Sequence, residues 1–72
     1  MNFRPGDHIK FEIKNERTGE SEWMWLRVES SDDSKRLIFG LLDSQPVVFA
    51  GQLTLGQHLA VSYDNVREHR HF

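Results

Sequence analysis

Two tracts of this chain alternate apolar and polar residues one by one, and that period of two restricts the fold more than any other feature. HIKFEIK, residues 8–14, sets Ile9, Phe11 and Ile13 on one side and Lys10, Glu12 and Lys14 on the other. A strand half-buried against a core has this pattern, because successive side chains point to opposite faces. EWMWLRVE, residues 22–29, repeats it with Met24, Leu26 and Val28 against Trp23, Trp25, Arg27 and Glu29. Between the tracts lies NERTGE, where Asn15 and Gly19 supply turn chemistry, so the two strands are expected to pair as a hairpin.

The remainder reads as more strands joined by short turns. SSDDSK, residues 30–35, is polar and aperiodic, and RLIFGLL after it forms a third strand interrupted by Gly40. An isolated glycine in a strand marks a bulge, a bend or a close backbone approach. DSQP makes a turn, VVF at 47–49 a short fourth strand, and the segment from about Gln57 a fifth with Leu59 and Val61 inward. YDNV, residues 63–66, is the best helical candidate, a single turn capped by Asp64 or Asn65. An internal echo links FRPGDHI to LTLGQHL: Phe3, Gly6, Asp7, His8 and Ile9 recur as Leu53, Gly56, Gln57, His58 and Leu59. Both read as a glycine turn feeding a strand.

These elements predict one all-β domain spanning residues 1–72: a small, strongly curved antiparallel sheet or partly open SH3-like barrel of about five strands, with a single helical turn near the C-terminus. A chain of 72 residues buries only roughly 60% of its unfolded surface. With no cysteine it has neither a disulfide nor a thiolate metal site to add stability, so one core must suffice or a partner must help. The formal charge of -2 is too small to draw nucleic acid or an anionic membrane from a distance. MNFRPGDH lacks the apolar core of a signal peptide, and no apolar run is long enough to span a bilayer, so a soluble domain is expected, and the lack of cysteine is compatible with the cytoplasm, where it is expected to reside.

The second tract poses the functional question. Its aliphatic side is the better core face, and the side that ends in Arg27 and Glu29 is the wetter one. The two indoles are therefore expected to point away from the main core. Either the curled sheet covers Trp25 with the C-terminal segment around Val66 and Phe72, or one or both indoles lie in an exposed apolar patch used for binding, Trp23 first. Trp23, Trp25 and Arg27 are the candidate binding residues.

EWMWLRV, IFGLLDSQPVV and LTLGQHLAVSYDNV, taken in order, resemble the YegJ-like family of small bacterial proteins (domain of unknown function 2314). The matching elements are Glu22, Met24, Trp25 and Val28, then Gly40, Asp43 and Pro46, then Leu53 and Gly56, with Phe11, Ile13 and Lys14 matching an earlier strand. The resemblance covers residues 9–66, while Gln57 stands where the family carries an acidic residue. It implies a compact β-rich fold and a structural part for Trp25, and it brings no activity with it.

Site chemistry is sparse. His69 and His71, two apart, would share a face of a strand, and Glu68 or Asp64 could add an oxygen ligand. An exposed, mixed-charge tail is the simpler reading of REHRHF, and no metal or other cofactor is expected. The chain has no glycine-framed nucleophile, no telling His–Asp spacing and no phosphate-cradling loop, so no enzyme activity is expected. Asp7, Asp43 and Asp64 read as turn or cap residues. What remains is a non-catalytic protein-interaction module, self-associating or binding a partner protein. The rival is a nucleic-acid-binding barrel using Trp23, Trp25 and the cations Arg27, Lys10 and Lys14, with Glu12, Glu22 and Glu29 opposing phosphate. No small-molecule substrate or membrane is indicated.

Overall fold

The computed structural model describes residues 3–71. Strands β1 (His8–Lys14), β2 (Ser21–Asp32), β3 (Leu37–Leu42) and β4 (His58–Ser62) are followed by a 3-10 turn (Tyr63–Asn65) and by β5 (Val66–Arg70). They form one antiparallel sheet in the order β4-β3-β2-β1-β5. The edge strands β4 and β5 do not pair with each other, so the barrel is partly open. Among the described residues the 3-10 turn is the only helical element, and no helix is long and apolar enough to cross a membrane.

A single sheet with no helix to cover it can bury one face only by curling onto itself. β2 makes this possible, because it is twelve residues long and serves two partners. Its first half pairs with β1 and its second with β3, the register shifting between Val28 and Ser30. That bulge lies beside Gly40, which pairs with Val28. A Cβ on Gly40 would stand 2.2 Å from the Arg27 carbonyl oxygen, so β2 and β3 cross here at a spacing only glycine allows.

The core forms on the concave side, and its pattern is the period of two in the sequence. Ile9, Phe11, Met24, Leu26, Val28, Ile38, Leu42 and Val61 are buried there with Phe3, Phe49 and Tyr63. The hairpin between β1 and β2 turns where Asn15 and Gly19 predict it: Asn15 N–H donates to Glu20 O, Gly19 N–H to Asn15 O, and Gly19 has φ of 77°. Asp32 Oδ1 collects the backbone N–H groups of Ser34 and Lys35 to close the next turn.

Three expectations need correction. VVF is not a strand: Val47 and Val48 are exposed, and only Phe49 is buried. The N–H groups a ladder would need are taken by one carboxylate, because Glu22 accepts from Val47, Val48 and Phe49 at 2.9, 3.0 and 3.2 Å. Nor are residues 66–70 a loose tail. They form β5, in which Val66 lies opposite Phe11 and His69 opposite Ile9. The turn before it is capped by Ser62, whose Oγ accepts from Asp64 N–H, rather than by Asp64 or Asn65. Phe72, proposed as a cover for Trp25, lies outside the described residues.

Candidate functional site

The convex face of the sheet carries the residues that the second tract sends outward. Trp25 stands opposite Lys10, Trp23 opposite Glu12, and Arg27 between His8 on β1 and Leu41 on β3. Their inward neighbours Met24, Leu26 and Val28 are sealed from solvent, whereas Trp23 is 48% exposed. The alternation therefore separates aliphatic from aromatic side chains as the sequence predicts. The Lys10 ammonium lies 5.8 Å from the Trp23 ring and 5.9 Å from that of Trp25, close enough for cation–π attraction to both.

Trp25 is half-buried, and what covers it is charged. The Arg70 guanidinium sits 5.2 Å from its ring and is held by Glu68, whose carboxylate accepts from Nη2 at 2.8 Å. Arg70 holds the Glu68 carboxyl below its usual range. From the other side the main chain of β2 is fixed by the loop after β3: Asp43 N–H donates to Trp25 O, and Trp25 N–H to Ser44 Oγ. His8, Trp25, Asp43 and Arg70 line an open cleft of about 440 Å³. Across it His8 Nε2 and Asp43 Oδ2 are 2.8 Å apart. Arg27 lies beyond Asp43, in a smaller cleft of about 240 Å³ that includes Leu41 and the exposed Leu55.

Trp23, Trp25 and Arg27 thus share one face, with the two indoles joined through Lys10 and Arg27 set apart. Sequence reasoning missed the contribution of Arg70 and the His8–Asp43 pair. The strand at the C-terminus was the missing signal: VREHR alternates, but its polarity conceals a strand whose outward side carries Arg70 and Glu68.

A second cluster lies at the turn that starts β1. Asp7 is 5% exposed. Its Oδ2 accepts from Arg4 N–H at 3.0 Å and meets His69 Nε2 at 2.7 Å, while Oδ1 meets His71 Nδ1 at 2.8 Å. Burial pushes its carboxyl up, but the Arg4 N–H and the two imidazoles outweigh burial and hold it well below the usual carboxylate range. With a depressed pKa, Asp7 contributes stability above the ordinary carboxylate range and loses it as pH falls through and below that range. The rings of His69 and His71 are 4.7 Å apart, and Phe3 packs on His69 at 4.7 Å. The histidine pair does share a side, as its spacing predicts. Its carboxylate comes from residue 7, however: Glu68 faces Arg70 and Lys10, and Asp64 faces Arg36.

Comparison with protein-family models, curated proteins and solved structures finds no match to this chain.

Proposed function

We propose that this domain is a non-catalytic protein-interaction module that binds a partner chain on the convex face of its sheet. The observation that carries the reading is the Trp23–Lys10–Trp25 arrangement: two indoles on the outward side of a strand whose inward Met24, Leu26 and Val28 are buried. Indoles supply large contact area at small cost in side-chain entropy and are over-represented among residues that dominate binding energy. The cleft beside Trp25, lined also by His8, Asp43 and Arg70, suits an apolar anchor residue. Charge argues against the nucleic-acid reading. Lys10 and Arg70 are both engaged by Glu68, and Glu12 and Asp43 stand on the same face, leaving Arg27 and the strand-end Lys14 as its cations without an ion-pair partner among the described residues.

Selection from a displayed random-peptide library tests this. The expected outcome is peptides sharing an apolar or aromatic anchor residue, whose binding shifts the indole N–H signals of both tryptophans and weakens at least tenfold in Trp23→Ser. A salt-sensitive shift of the same indole signals by a mixed single-stranded oligonucleotide, with no peptide enriched, would favour the rival.

A further inference from the structure

The donor atoms of Asp7, His69 and His71 all lie within 4.8 Å of one another. They come from three places: the turn before β1, β5, and the residue that follows β5. We infer that they form a binding site for a first-row divalent transition metal such as Zn²⁺. Two imidazole nitrogens and one carboxylate oxygen are the donors such ions prefer.

An ion is accommodated by local movement of the two imidazoles: the donor atoms lie up to 4.8 Å apart, so their widest separation must close while the shortest ones open. Bonds of about 2.0–2.2 Å at near-tetrahedral angles set neighbouring donors roughly 3.3 Å apart. The Asp7 contacts to the two histidines, at 2.7 and 2.8 Å, must widen by about half an ångström. The His71 side chain is 62% exposed and lies past the end of β5, so it has the freedom to give way. Asp7 is fixed by its main chain: Gly6 N–H donates to Val28 O and Val28 N–H to Asp7 O, both at 2.8 Å. On binding, each imidazole offers the lone pair of its neutral form and carries its proton on the other ring nitrogen. An imidazolium would release one proton to solvent. The exposed side leaves at least one position for water or for a donor from another molecule.

The chain contains its own control for the alternative that Asp7 serves the turn alone. At the echoed turn Gln57 Oε1 accepts from Thr54 N–H at 3.0 Å, matching the Asp7–Arg4 contact. Gly56 and Gln57 bond to Leu42 as Gly6 and Asp7 bond to Val28. A neutral amide thus performs the turn's whole task. A buried carboxylate is costly to desolvate, and what distinguishes its position is the pair of imidazoles.

The test is a Zn²⁺ titration of untagged, full-length protein followed by histidine ring NMR, with Co²⁺ absorption as a second readout. The expected result is saturation at one equivalent, with His69 and His71 shifting and His8 and His58 unmoved. Co²⁺ should give a ligand-field band. His71→Ala, at an exposed position that keeps the fold, should weaken binding by well over 100-fold, beyond the roughly 10–100-fold that loss of a supporting hydrogen bond produces. Shifts confined to His8 or His58, no saturation at one equivalent, or equal affinity in His71→Ala would each overturn the assignment.

Discussion

The turns at residues 3–9 and 53–59 are built alike and used differently. Gly6 and Gly56 have φ of 92° and 86°. Each following residue donates its N–H three residues back, Asp7 to Arg4 O and Gln57 to Thr54 O, both at 3.0 Å. Its side chain accepts from that same earlier residue. His8 and His58 then both turn outward to a carboxylate, Asp43 at 2.8 Å and Glu29 at 3.4 Å. The divergence is at one position: Asp7 is buried and gathers two histidines, whereas Gln57 is half-buried and, among the described residues, its side chain bonds only within the turn. The comparison separates what a turn requires from what has been added to it. Positive φ and a side-chain acceptor are required, and a negative charge is not.

Substitutions can break this likeness or sharpen it. The largest effect is expected at Gly40, between the residues on which the two turns hook, Val28 and Leu42. Gly40→Ala drives a Cβ into the Arg27 carbonyl and should cost about 3 kcal/mol or more in urea unfolding. Asp7→Ala and Gln57→Ala come next and should separate the two turns. Loss of contacts to a charged group should cost about 2–3 kcal/mol for the first, against about 1 kcal/mol for a neutral hydrogen bond in the second. Gly6→Ala and Gly56→Ala should instead show the turns to be equal. Neither position has an atom within 4 Å of an added Cβ, so the cost is backbone strain alone, about 1–2 kcal/mol each. Unequal losses at the two glycines would contradict the claim of shared geometry.

Most of the fold was legible because most of it obeys a local rule. The alternation of 8–14 and 22–29 fixed which side chains enter the core, and Asn15 with Gly19 marked the hairpin. Gly40 marked the close approach of β2 and β3. Where the reading failed, a distant partner decided the structure. Val47, Val48 and Phe49 are strand-formers by composition, yet their N–H groups point at Glu22, some 25 residues earlier. VREHR looks like a solvated tail, but β1 offers it an edge and Val66 a place against Phe11. The outward tryptophans could be read from period two, whereas the guanidinium over Trp25 could not. His69 and His71 could be paired by spacing, but their carboxylate is 62 residues from His69 and looked like an ordinary turn residue.

The charge of Asp7 is surplus to the turn, and we infer that it is present for the two histidines. Asp7→Gln makes the first turn chemically like the second, and thermal unfolding with and without Zn²⁺ tests the claim most directly. The variant is expected to fold with a loss of about 1 kcal/mol, and Zn²⁺ is expected to raise the melting temperature of the parent protein but not of the variant. Failure of the variant to fold, or an equal rise with Zn²⁺ in both proteins, would contradict it.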